Sequence, residues 1–181
     1  MIIRLIVASF VLALSGGQVF GAETSTRVAP NTIEREAAGS DWTYYTQTDD
    51  LSDKEINVAQ VTSSNTFNFT FPYEGDQRAR LALFNNPQHG LLALLVIDKG
   101  QFFCGRSEGC RIQVRVDDGP IKTFVISAPE DNGTTGRFIE NPKALAKMLS
   151  RAKRLRIEAS FFHQGSRVFD FPVAGFRPAL K

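Results

Sequence analysis

The sequence predicts a mainly β (α+β) fold: an antiparallel β-sandwich or a strongly bent sheet, with one helix from the C-terminal half packed on it. Three observations predict it. The stretch NTFNFTF, residues 65–71, alternates polar and apolar side chains with a period of two, as a half-buried strand does. Further short apolar runs follow, separated by turn signals rich in Gly, Pro, Asn and Asp. Only one stretch repeats apolar residues at helical spacing, at Leu145, Met148, Leu149 and Ala152.

The chain opens with Arg4 and an apolar run from Leu5 to Leu14, then Val19 and Gly21 at suitable positions for cleavage before Ala22. This is the pattern of a secretory signal peptide over residues 1–21, too short for a stable membrane span. No later stretch approaches the roughly 18 apolar residues that a span needs. Without residues 1–21 the chain keeps 20 basic and 19 acidic side chains, a balance that argues against a dedicated nucleic-acid binder. Residues 22–41 are small and polar and read as a flexible leader. Residues 42–176 form the expected single β-rich domain, and 177–181 a tail.

Within that domain WTYYTQT, residues 42–48, has strand-forming residues. In residues 65–71, Phe67, Phe69 and Phe71 share one face, and Pro72 and Gly75 end the strand. Residues 78–84 alternate with Leu81 and Leu83 inward, and a turn follows at Asn85-Asn86-Pro87 and His89-Gly90. Residues 91–97 are apolar without alternation, which predicts a central strand covered on both faces. Residues 101–104 and 110–117 flank a short loop, with Ile112, Val114 and Val116 inward. Asp117-Asp118-Gly119 turns the chain into a strand over 121–127. Asn141 caps the helix and Pro142 occupies its first position. Lys143, Lys147, Arg151 and Lys153 line its other side, a candidate basic face for an anionic envelope surface or simply a solvated one. Strands over 155–162 and 168–173 complete the domain.

Two cysteines behind a secretory signal predict one disulfide, Cys104–Cys110, in an oxidising compartment. It closes a small ring whose loop-entropy effect is about 2.4 kcal/mol. The ring presents Arg106, Ser107 and Glu108 as a candidate interaction loop. Gly105-Arg106-Ser107-Glu108-Gly109 also fits the Gly-x-Ser-x-Gly pattern of serine hydrolases, with Ser107 as nucleophile. That pattern needs a strand, a sharp turn and then a helix, whereas RIQVRV after Cys110 is a strand pattern. A base would have to be His89 or His163, each beside a turn glycine. A Cys-x5-Arg phosphatase motif fails because Cys110 stands where the arginine belongs, with Arg111 one residue late. Asp49, Asp50 and Asp53 read as a solvated turn rather than a calcium loop. No metal site, Gly-rich phosphate cradle or cofactor is expected, and no catalytic residue is assigned.

The loop Cys104-Gly105-Arg106-Ser107 resembles the primary loop of Bowman–Birk-type protease inhibitors, in which a basic residue and a serine follow a cysteine. It lacks the proline pair of those loops and is two residues shorter. The wider pattern, an N-terminal Trp42, the acidic DDLSD, a strand ending in a cysteine and then CRIQVRVD, resembles small secreted proteobacterial proteins of unknown function. It is also loosely similar to the periplasmic TagO-like accessory proteins of type VI secretion. The resemblance covers most of residues 42–176 and implies no catalytic residues. The expected function is that of an exported, non-catalytic periplasmic or cell-envelope interaction module, accessory to a secretion system on the strength of that resemblance. Its expected partner is another envelope protein or a cell-wall component, with no nucleic acid and no membrane span. A secreted inhibitor acting through the loop 104–110 and a serine hydrolase using Ser107 are the alternatives.

Overall fold

A computed structural model describes residues 33–34, 41–49, 52–105 and 109–178, the first pair by backbone alone. The expected signal peptide, most of the leader, Asp50, and Arg106 to Glu108 lie outside the described residues. The described elements are β1 (Ile33–Glu34), β2 (Thr43–Thr48), β3 (Glu55–Thr62), β4 (Phe67–Phe69), β5 (Gly75–Gln77), β6 (Ala79–Asn86), β7 (Gly90–Ile97), β8 (Arg111–Val116), β9 (Lys122–Ser127), β10 (Gly136–Ile139), α1 (Pro142–Leu149), β11 (Arg154–Phe161) and β12 (Gly165–Pro172).

Ten strands join in one antiparallel sheet, in the order β1-β2-β3-β6-β7-β10-β9-β8-β11-β12, and β4 pairs with β5 separately. The sheet bends until β12 lies against β3. Residues 64 and 65 bridge that seam. The Ser64 N–H donates to the Asp170 carbonyl at 2.7 Å, the Asn65 Nδ2 donates to the Val168 carbonyl at 2.9 Å, and the Asp170 N–H donates to Asn65 Oδ1 at 2.9 Å. The outer edge of β12 is therefore partly satisfied from within the chain, which blunts strand addition there. Trp42 closes the seam higher up, with its indole N–H 3.0 Å from the Val173 carbonyl and its ring 4.8 Å from Phe176.

The core fills the space between the two halves of the bent sheet. Ala59, Val61, Leu81, Leu83, Leu95 and Ile97 meet Ile112, Val114, Leu155, Ile157, Phe169 and Phe171. Phe169 meets Phe67 and Phe161 edge-on, at 5.2 and 5.9 Å, the geometry that aromatic quadrupoles favour. The bent sheet with one helix agrees with the fold class predicted from sequence.

The Asn141 side chain accepts the Ala144 N–H at 3.3 Å at the start of α1, and Pro142 follows it. Leu145, Ala146 and Leu149 are buried, and the helix packs near β7. It is shorter than its sequence periodicity suggests. The Asp117 carboxylate accepts the N–H groups of Lys153 and Arg154 at 3.1 and 2.9 Å and so draws the chain into β11. Ala152 is buried beyond the helix end, and Arg151 and Lys153 do not belong to a helical face.

Other expectations are corrected. β4 stops at Phe69, and Phe71 is 79% exposed rather than sharing the face of Phe67 and Phe69. The backbone of Thr70 is occupied by the Gln164 amide, and Pro72 has no N–H to continue a ladder. β7 is central, as expected, and its two faces differ: Ala93, Leu95 and Ile97 join the core, whereas on the outer face Leu94 is buried and Leu92 and Val96 half-buried. β3, β5 and β10 have no counterpart in the predicted elements. In β3, Ile56 and Val58 are buried on one face and Ala59 and Val61 on the other, so no alternation marks the strand. Two residues of the expected leader, Ile33 and Glu34, pair with Tyr45 and Tyr44.

Leu155 is fully buried in β11. Leu155→Ala is expected to lower unfolding stability by about 2–5 kcal/mol, read from the midpoint and slope of a denaturant titration.

Candidate interaction site

Residues 101–103 and β8, on either side of the two cysteines, pair with β11 rather than with each other. Phe102 pairs with Phe161, the Phe103 N–H donates to the Ser160 carbonyl at 2.8 Å, and the Phe162 N–H donates to the Gln101 carbonyl at 2.9 Å. Further along β11, Glu158 pairs with Gln113 and Leu155 with Val116. Residues 101–103 and β8 therefore run in the same direction beside β11, one after the other. The Cys104–Cys110 disulfide joins the ends of these two segments, with Gly105 and Gly109 bridged just inside it.

Buried amides hold the surrounding turns. Gln77 is almost fully buried, and its Nε2 donates to the carbonyls of Tyr73 and Gly75 at 3.1 and 2.9 Å. Its Oε1 accepts the Lys99 N–H at 2.7 Å, tying the β4–β5 turn to the segment before Gly100. Gln164 accepts the Thr70 N–H at 3.0 Å and donates to the Thr70 carbonyl at 3.1 Å, tying the same turn to the β11–β12 turn. Gly100 has φ +133, and a Cβ there would meet Ile97 Cδ1 at 2.7 Å and Phe69 at 3.2 Å; only glycine lets this turn lie so close to the core. Arg137 is buried on β10 and donates through one Nη to the carbonyls of Gly133 and Gly136. Its guanidinium lies 5.5 Å from the Phe102 ring centre, and burial holds its pKa below the ordinary arginine value.

These pinned turns carry three exposed phenylalanines. Phe102 and Phe161 point into the core, so their neighbours Phe103 and Phe162 point outward together. Phe103 is 55% and Phe162 39% exposed, and Phe71 stands on the turn that Gln164 holds. The Phe162 and His163 rings touch edge-on at 4.0 Å.

The other sequence candidates fall elsewhere. Arg106, Ser107 and Glu108 lie outside the described residues; the disulfide-bonded Cys104 and Cys110 flank them. His163 shares the end, whereas His89 is in the β6–β7 turn, at the far end of the eight-residue β7, roughly 26 Å away along the strand. Cys110 leads into β8, not into a helix. Lys143, Lys147, Arg151 and Lys153 are exposed near the start of β11, the opposite end from the disulfide. Asp49 serves the β2–β3 turn, accepting the Ser52 N–H at 2.9 Å. Among the described residues no three His, Cys, Asp or Glu side chains are grouped to hold a metal ion, and no helix is long and apolar enough to cross a membrane. Gln77 and Gln164 were not singled out from the sequence: a glutamine in a turn has the same local signature whether it is buried or solvated.

No family model matches the chain, and no curated protein matches it. Among solved structures it is similar to the crystal structure of invasion associated protein B from Bartonella henselae, at 13% identity and a TM-score of 0.49, over 82% of this chain and 91% of that one. A likeness this distant carries no function across, and the fold rests on the strand pairing itself.

Replacing both cysteines by serine is expected to leave the fold intact and lower its stability by about 2 kcal/mol, measured by chemical denaturation. Gln164→Ala removes two part-buried side-chain bonds to the Thr70 backbone and is expected to cost about 0.5–1.5 kcal/mol, with faster amide exchange at residue 70 as its local signature.

Proposed function

We propose that this chain is an exported, non-catalytic periplasmic or cell-envelope protein that docks a protein or cell-wall partner through its aromatic end. The observation that carries the reading is the trio Phe71, Phe103 and Phe162, held outward on turns fixed by buried side chains and a disulfide. Exposed aromatics cost a free protein solubility, and burying each against a partner is worth about 1.5–3 kcal/mol. Fixed turns lose little conformational entropy on docking, so more of that gain survives as affinity. Export is supported by the signal-peptide pattern of residues 1–21 and by the disulfide, which suits an oxidising compartment. The resemblance to type VI secretion accessory proteins makes a component of such an apparatus the first partner to test.

The test is site-specific photo-crosslinking from position 103 in the periplasm of the producing cell. A discrete adduct is expected with the wild-type surface and is expected to disappear when Phe71 and Phe162 are changed to serine. Those exposed changes should each move stability by no more than about 0.5 kcal/mol, so loss of the adduct would report docking rather than unfolding. An adduct that survives both changes overturns the aromatic end as the docking surface. Hydrolytic activity abolished by Ser107→Ala would overturn the non-catalytic reading.

A further inference from the structure

A second feature lies on the outer face of β8, β11 and β12, away from the aromatic end. Gln113, Arg115, Arg156 and Glu158 form the floor of an open groove of about 150 Å³, with Ile121 on one side and Val168 on the other. Arg115 and Arg156 are directly paired across the two strands. Like charges in that position repel, so the pair needs a reason.

The two arginines are held by one turn. Arg115 Nε donates to the Gly119 carbonyl at 2.9 Å, and an Arg156 Nη donates to the Asp117 carbonyl at 2.6 Å. Carbonyl oxygens orient these groups without neutralising them. The acid nearest Arg156 is Asp118, 3.9 Å away on a fully exposed side chain. Asp170, the other cross-strand neighbour of Arg156, is engaged by Arg154 through both carboxylate oxygens. The Arg156 Nε is buried and has no hydrogen-bond partner. One row away, Glu158 faces the same groove beside Gln113, with no cation within 4 Å among the described residues. Ile121 and Val168 are large apolar side chains left in solvent, 60% and 41% exposed.

We propose that this groove binds the carboxylate end of a peptide. The terminal carboxylate sits on Arg115 and Arg156, where the planar fork of a guanidinium suits it. The N–H of the same residue donates to Glu158 and Gln113, and its apolar side chain lies between Ile121 and Val168. The groove is small, with room for the last residue only.

The experiment is an NMR titration of the purified protein with N-acetyl-leucine, its primary amide, and isocaproate, which keeps the carboxylate and the branched arm but has no N–H. Saturable shifts at residues 113, 115, 158 and 168 are expected with the acid. The amide should bind at least tenfold more weakly, isocaproate more weakly than the acid, and added salt should weaken the acid. Arg156→Gln and Arg115→Gln are each expected to cost the acid at least fivefold. Equal binding of acid and amide, shifts confined to other surfaces, or no saturable shift at all overturns the proposal. The ligand comparison uses the unaltered protein, so a variant that folds poorly does not protect the idea. Serine at Phe71 and Phe162 should leave the titration unchanged, which separates this groove from the aromatic docking surface.

Discussion

Strand β11 is the constraint on which the second half of the molecule depends. One of its edges holds β12 over its whole length, and the other holds β8 and then residues 101–103. Two separate segments must therefore meet one strand in consistent register. A one-residue slip in either would turn Ile112, Val114 and Phe102 from core to solvent. The disulfide supports that register. It joins the ends of two collinear pieces of strand.

Polar side chains extend the same logic to the turns. The β4–β5 turn has few strand partners of its own; Gln77 from β5 and Gln164 from the β11–β12 turn supply side-chain hydrogen bonds to it, and Gln77 also holds Lys99. A buried backbone group without a partner is costly, so each amide serves as a specific clamp and not as filler. The clamps fix Phe71 where a flexible loop would let it fold down onto the surface. Rigid turns with apolar tips and a bent sheet with a satisfied seam are thus consequences of the same arrangement.

Much of the ladder was legible in the sequence. The period of two in residues 78–84 and 155–161 and the turn at Asp117-Asp118-Gly119 all appear where expected. The helix start was legible too, because Asn141 and Pro142 act through bonds to immediate neighbours. β3 was not legible. Its buried residues change face partway, and a strand apolar on both sides has no period to detect. The early end of α1 was equally hidden, since it depends on the carboxylate of Asp117, 36 residues away from Lys153 in the chain. The candidate site shows the same division: the cysteines announced the ring, but nothing local in FCGRSEGC distinguishes flanking segments that pair with each other from segments that both pair with a third strand.

The sequence by itself determined the β-rich class, the helix start, the strand alternation and the pairing of the only two cysteines. Each follows from periodicity, capping or composition, which act over a few residues or over the whole chain at once. Only the tertiary structure decided which strands neighbour which, and where Phe71, Phe103 and Phe162 stand. It alone placed Arg115 opposite Arg156. The physical reason is that register across a sheet joins residues far apart in the chain, and a side chain's charge or exposure is meaningful only beside the neighbours that register provides.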